Sequence, residues 1–242
     1  MPKVPKWMAD AMESLFSGSY HPVTVTEVNY LEAELKHVRF EGDFSASKRK
    51  FRPGNVIEFR INETEFRHYT PSLFDHGRGV CDVLFYLHGM GPGSDWAATL
   101  KKGDGLKLLG PGGKLKFDIN ANDHFVFGDE TSLGLMQSMY RAAEAQDTTC
   151  ECLVELDSNH IAWTDLVDIP IHPVAKSPKG KAVTALPEVD CFLQRSDRHK
   201  TAFYLTGNAK SIQVIRKHLV NSGITASQIQ SDPYWVEGKT GL

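Results

Sequence analysis

From His21 to Phe117 the apolar positions recur at every second residue or in short runs between turn residues, which predicts strands rather than helices. Val23-Thr24-Val25-Thr26-Glu27-Val28 alternates with a period of two. Leu35 to Phe40 follows with a mixed pattern, and Asn55 to Ile61 comes after the Pro53-Gly54 turn. Arg67 to Tyr69, Asp82 to His88 and Leu106 to Leu109 complete a set of about six strands with no long helix between most of them, which suits a small antiparallel barrel. Beyond the polar stretch Asp118 to Asp123, suited to a domain boundary, the period changes. His124 to Phe127 reads as a short strand, and Thr131 to Ala145 as a helix burying Leu133, Met136, Met139, Tyr140 and Ala143. Cys150 to Leu156 and Thr201 to Thr206 are further strands, and Ser211 to Val220 is a helix aligned on Ile212, Ile215 and Leu219. Pro170 to Lys181 reads as a loop. Strands alternating with helices imply a parallel sheet, with ligands beyond the carboxyl ends of its strands.

The expected architecture is β plus α/β: an N-terminal helix in residues 1–20, a six-stranded antiparallel β-barrel in 21–118, and an α/β domain with a parallel sheet in 119–242. Trp7, Met8, Ala11, Met12, Leu15 and Phe16 fall on one face of the first helix, and that face is expected to pack on the body. A helix lying on a surface is the alternative.

Composition narrows the class. With 242 residues, 41% hydrophobic and 24% charged, the chain reads as an ordinary globular protein of one large or two modest domains. A net charge of −3 and a pI near 6.4 argue against a general nucleic-acid binder and a polybasic membrane anchor. No apolar run approaches the roughly 20 residues of a membrane span. Lys3 and Lys6 are followed by Asp10 and Glu13, which interrupt any signal-peptide core, so export is not expected. Cys81, Cys150, Cys152 and Cys191 include no Cys-x-x-Cys pair, and the ten histidines are scattered, so the chain reads as reduced, metal-free and cytoplasmic. Cys150 and Cys152 share one strand face, the usual place of buried thiols. Lys48, Arg49, Lys50 and Arg52 read as a solvated loop face; attraction of an anionic substrate or an acidic electron carrier is the alternative. Nothing demands more than a monomer.

Chemistry concentrates in two places. In Arg67-His68-Tyr69-Thr70-Pro71 a strand puts Arg67 and Tyr69 on one face and Thr70 on the other, until Pro71 bends the chain. A guanidinium forks onto phosphate oxygens, a phenol ring lies against a planar heterocycle, and a hydroxyl bonds a ring nitrogen. FAD would use all three, while an ordinary strand closed by a proline turn would use none. In the second place, Gly91, Pro92 and Gly93 form a turn, Ser94 is the expected N-cap, and Trp96, Ala97 and Leu100 share one helix face. Glycines let backbone N–H groups approach oxygens, and a helix N-terminus favours negative charge, so a diphosphate fits; a serine-capped connector is the plainer reading. Gly110-Pro111-Gly112-Gly113 needs no chemistry beyond a tight turn.

These stretches occur in an order that resembles the siderophore-interacting protein family, a branch of the ferredoxin-reductase-like flavoproteins. The matching blocks are Arg67 to Thr70, His88 to Ala97, Gly110 to Gly113, Gly128-Asp129-Glu130-Thr131-Ser132-Leu133, and Tyr234-Trp235. The resemblance runs from about Tyr20 onward, and its second block is the most specific. It implies that the barrel binds FAD through Arg67, His68, Tyr69, Thr70, His88, Gly91, Gly93, Ser94 and Trp96, with Thr70 near the flavin N5 and Tyr69 over the ring. It implies a nicotinamide-binding-like second domain whose candidate site is Gly128, Asp129, Glu130 and Thr131, with Asp157 toward a ribose hydroxyl. Two carboxylates would repel a diphosphate there, and the same residues are good helix starters. Tyr234 and Trp235 either pack on the flavin or anchor the terminus. This chain departs from the family in carrying Ser72 where an arginine is frequent and Asn208 where a glutamate is.

The function so implied is a cytoplasmic FAD-dependent ferric-siderophore reductase drawing on NADH, NADPH or reduced ferredoxin, with no side chain acting as acid, base or nucleophile. The rivals are a flavin reductase that passes electrons to a protein partner, and a flavin-containing siderophore carrier without catalysis. Which siderophore class fits depends on pocket shape, which sequence does not give.

Overall fold

The computed structural model describes residues 4–239 apart from Ala46 and Lys48, so Lys3 and Lys48 lie outside the described residues, as do the side chains of Met12 and Ser17. The chain forms two compact units that part between Lys114 and Leu115.

The first unit opens with helix α1 (Lys6–Leu15) and continues with strands β1 (Tyr20–Glu32), β2 (Leu35–Gly42), β3 (Val56–Arg60), β4 (Phe66–Tyr69), β5 (Leu73–Asp75), β6 (Val80–Tyr86) and β7 (Gly105–Gly112). Helix α2 (Pro92–Thr99) lies between β6 and β7. The strands form one seven-stranded antiparallel sheet in the order β4-β3-β7-β1-β2-β6-β5. Its first and last strands are neighbours in sequence, joined only by Thr70, Pro71 and Ser72. A chain reaches about 3.5 Å per residue, so the sheet has to curl until its two edges approach, which makes it a barrel. Alternate residues of each strand fill its interior: Val23 and Val25, Val38 and Phe40, Ile57 and Phe59 all bury their side chains.

The sheet gains β5, a strand too short to leave a period in the sequence. The run Gly110 to Gly112 ends β7, with Gly112 paired to Val56, instead of forming a separate turn.

Helix α1 forms where expected but turns over. Arg60 donates from Nη1 to Asp10 at 2.8 Å and Glu13 at 3.2 Å, Lys6 pairs with Glu63, and Ala9 is buried. The opposite side carries Trp7 at 68% and Leu15 at 78% exposure, with Met8, Ala11 and Phe16 also open. The expectation that the apolar face packs is therefore corrected: charge pairing to Arg60 and Glu63 sets the helix orientation.

The second unit alternates β8 (Asp123–Gly128), α3 (Leu133–Glu144), β9 (Thr149–Leu156), β10 (His172–Ala175), α4 (Leu186–Arg195), β11 (Thr201–Asn208), α5 (Ala209–Asn221) and β12 (Ile229–Trp235). All pairings in its five-stranded sheet, ordered β10-β9-β8-β11-β12, are parallel. Every residue of β11 is buried, as in a central strand covered on both faces. Three elements go beyond the sequence reading. Strand β10 lies inside the stretch read as a loop, and α4 and β12 carry prolines at Pro187 and Pro233 that mask their periods. The chain leaves β8 toward β9 and β10, then returns to β11 on the other side. The order therefore reverses between the ends of β8 and β11, the crevice where such sheets place ligands. Among the described residues no helix is long and apolar enough to cross a membrane.

Candidate functional site

Edge strand β4 delivers Arg67 and Tyr69 to the same face, and both meet the start of α2. A Cβ added at Gly93 would stand 3.1 Å from Tyr69 Oη and 3.4 Å from Arg67 Cγ, so a larger residue there would crowd both side chains. Tyr69 Oη donates to the Gly93 carbonyl at 3.2 Å, and its ring stacks on Trp96 at 5.8 Å and 21°. Phe85 meets Tyr69 edge-on at 4.7 Å, and burial pushes the phenol pKa well up, keeping it a neutral donor. Thr70 is buried, while His68 faces outward onto Glu58 at 2.7 Å. Arg67 is not a bare cation: it donates to Glu65 Oε1 at 3.0 Å and to the Phe66 carbonyl at 2.8 Å.

Helix α2 starts earlier than its serine suggests. Gly91, at φ 119°, is the N-cap and Pro92 the first helical residue, because the proline ring fixes φ and has no N–H to lose. Ser94 is buried one turn in, where its Oγ accepts the Gly89 N–H at 3.0 Å. Among the described residues no side chain caps the helix. Pro92 lacks a hydrogen and Asp95 N–H bonds the Gly91 carbonyl, which leaves the Gly93 and Ser94 N–H groups without an acceptor among the described residues. Cβ positions at Gly89 and Gly91 point into open space. His88 Nδ1 accepts the Met90 N–H at 3.1 Å, and burial lowers its pKa. A flanking guanidinium, two orphan N–H groups and an open glycine cradle are the donor set a diphosphate needs, and an aromatic pair beside it suits a flat ring. These residues fit FAD. Ser72, which stands where the family often has arginine, is buried and bonds the Asp82 carbonyl through both its N–H and its hydroxyl.

The turn after β8 is built in the opposite sense. Asp129 caps it, accepting from Thr131 N–H at 3.0 Å and from Thr131 Oγ1, from Asn208 N–H at 2.8 Å, and from Trp235 Nε1 at 2.7 Å. Burial pushes its carboxyl up from the ordinary value, against the pull of these donors. Gly207, at φ 86°, leaves the space the carboxylate fills, since a Cβ there would come within 2.5 Å of it. Glu130 turns inward as well. It accepts from Lys176 Nζ at 2.7 and 2.9 Å and from Asp157 N–H at 2.8 Å, with His160 Nδ1 at 3.2 Å.

Glu130, Asp157 and His160 could by spacing hold a metal ion. The cation among them is Lys176, which also reaches Asp157 at 3.1 Å. Burial pulls its pKa down, but the two carboxylates carry it above the ordinary value. Sequence reasoning missed Lys176 because it follows β10, within the stretch read as a loop. Trp235 is an anchor for β12 here, 106 positions from its acceptor.

An antiparallel barrel followed by a parallel α/β unit is a ferredoxin-reductase-like fold. The ferredoxin reductase of carbazole 1,9a-dioxygenase has this fold, with a TM-score of 0.72, 20% identity, and 89% of this chain and 68% of that one covered. Residues 25–115 match the siderophore-interacting FAD-binding domain and residues 121–238 the siderophore-interacting protein domain, so the chain belongs to the siderophore-interacting protein family. SipS from Aeromonas hydrophila, a siderophore-interacting protein, superposes with a TM-score of 0.70 at 20% identity over 91% of this chain and 93% of that one. The ferric vibriobactin reductase ViuB of Vibrio cholerae is 26% identical over 194 residues, 78% of this chain and 70% of its own length. The mycobactin import ATP-binding/permease protein IrtA of Mycobacterium tuberculosis is 23% identical over 239 residues, 93% of this chain and 27% of its own length.

Proposed function

We propose that the protein is a ferric-siderophore reductase in which FAD lies across the start of α2. The observation that carries this reading is the uncapped helix start packed against Arg67 and Tyr69, inside the matched FAD-binding domain. Arg67 and the Gly93 and Ser94 N–H groups would hold the diphosphate, with Gly91 giving the backbone room to approach. His88 lies in the loop before α2, whereas His68 points to the other face of β4, onto Glu58. Tyr69 and Trp96 would supply the apolar wall, and Thr70 a hydroxyl toward the ring. Bound FAD supplies the step between a two-electron donor and a one-electron acceptor. Ferric iron is held by a siderophore's hard oxygen donors, and reduction to the less charged ferrous ion weakens that grip. No proton has to be moved by a side chain, so the residues bind, orient and leave one ring face open. The reaction is assigned to the cytoplasm on the reduced-cysteine composition.

One observation bears on the electron donor. The anion seat at the head of the α/β sheet already contains the Asp129 carboxylate, bonded to both β11 and β12. This favours reduced ferredoxin over NADH or NADPH, because a protein donor needs no diphosphate seat. Asp157, already held by Lys176, then has no ribose to bind.

The test is an anaerobic spectrum of the purified protein. Flavin bands that bleach with reduced ferredoxin, and return on adding a ferric siderophore with one ferrous ion trapped per electron, support the reading. Bands that bleach but do not return with ferric siderophore leave a carrier, and a colourless protein that ignores added FAD contradicts the whole assignment.

A further inference from the structure

Lys36, on β2, is completely buried. A lysine there has to find three acceptors for three N–H bonds, and it finds them at one place. Nζ donates to the carbonyls of Ala97 at 2.8 Å, Ala98 at 3.1 Å and Leu100 at 2.8 Å, all at the carboxyl end of α2. The Tyr30 ring lies 5.0 Å from the ammonium. The strand alternation puts Lys36 on the inward face with Val38 and Phe40, where an apolar residue is the usual occupant.

A buried ammonium is a costly way to fill space, and an apolar side chain of similar volume would often stabilise a barrel as well. The charge therefore calls for a role beyond packing, and the helix it touches supplies one. At eight residues α2 is too short to hold its shape or direction by itself. Its carboxyl end, where the backbone dipole leaves partial negative charge, meets Lys36, while its amino end, partly positive, carries two uncommitted N–H groups.

We propose that Lys36 is a positioning residue for the flavin diphosphate: by gripping the last carbonyls of α2 it fixes the helix so that Gly93 and Ser94 present their N–H groups beside Arg67. It acts through the helix and touches no cofactor. The inference rests on the reading of the α2 start as the diphosphate seat.

The experiment uses full-length apoprotein titrated with FAD and with riboflavin, which lacks the diphosphate, followed by quenching of flavin fluorescence. Lys36→Met is expected to weaken FAD about tenfold and riboflavin less than about twofold. Lys36→Gln, which keeps N–H donors without the charge, falls between Lys36→Met and wild type. A ratio of FAD to riboflavin affinity unchanged from wild type overturns the inference, whether or not the melting temperature falls, because a purely structural lysine weakens both ligands alike. Should Lys36→Met not fold, the ratio for Lys36→Gln decides on the same terms. Arg67→Ala separates the lysine's role from the seat's. If it lowers the ratio and the Lys36 variants do not, only the Lys36 role fails. If wild type binds FAD no tighter than riboflavin, the seat itself is wrong and Lys36 falls with it.

Discussion

At Gly91 the start of α2 carries no side-chain cap, whereas the start of the helical segment leading into α3 is capped by a carboxylate that also bonds two further strands. Both follow a strand through a glycine-bearing turn, and both have the partial positive charge that attracts anions. They differ in what the chain has already supplied. In the barrel unit the chain places its cations, Lys36 and Arg67, at either end of the helix and leaves the N–H groups open. In the α/β unit it supplies the anion itself and neutralises the neighbouring glutamate with Lys176. A helix start is thus a ligand site only while the sequence withholds a carboxylate from it, and two turns alike in outline come out with opposite capacities.

The comparison breaks most visibly at Lys176. Replacing it with methionine strands Glu130, whose side chain is 1% exposed, and should cost about 3 kcal/mol in urea unfolding of the full chain. Combining it with Glu130→Gln should restore more than half, and no restoration would mean that the pair is not what holds the turn shut. Next in size, Arg67→Ala should weaken FAD by about 10- to 30-fold through loss of a charge-assisted bond to the ligand, and should lower urea stability by about 1–2 kcal/mol because it also takes the guanidinium from the buried Glu65 carboxylate.

Acid and alkali should then separate the two units. Although burial alone would raise it, the forked bond from Arg39 and the approach of His37 bring the Asp82 carboxyl of the barrel unit down to about 2. Its contribution, about 1–2 kcal/mol, is present above the unfolded carboxylate value near 4 and is lost as pH falls toward 2; Asp82→Asn should flatten stability over that window. Lys176 has the opposite sign. Its raised value makes its contribution complete below the unfolded lysine value and lost only as pH climbs above it. The smallest effect is expected from Ser94→Ala. It removes the acceptor of the Gly89 N–H and should cost about 1 kcal/mol in thermal unfolding, with a minor loss of FAD affinity.

Much of this contrast was legible in the residues. The period of two from Arg67 to Tyr69 put the guanidinium and the ring on one face, and the glycines around Pro92 announced a turn into a helix. Repulsion between Asp129, Glu130 and a diphosphate was likewise readable from composition. What local pattern could not convey were partners distant in sequence: Trp235 for Asp129, Lys176 for Glu130, and the α2 carbonyls for Lys36. Each depends on strand order, which is fixed by the whole chain. Helix α1 teaches the same lesson in reverse. Its apolar period is genuine, but Arg60, some 50 positions away, engages the acidic side instead.

The most direct measurement is a pair of titrations of one apoprotein sample, FAD in one and NADH in the other, each read by isothermal calorimetry. Both ligands carry a diphosphate, so they ask the same question of the two helix starts. One equivalent of FAD binding at micromolar concentration or below, with no saturable NADH binding below about millimolar, is the predicted result. NADH saturating at micromolar concentration, or FAD failing to bind, would contradict the account.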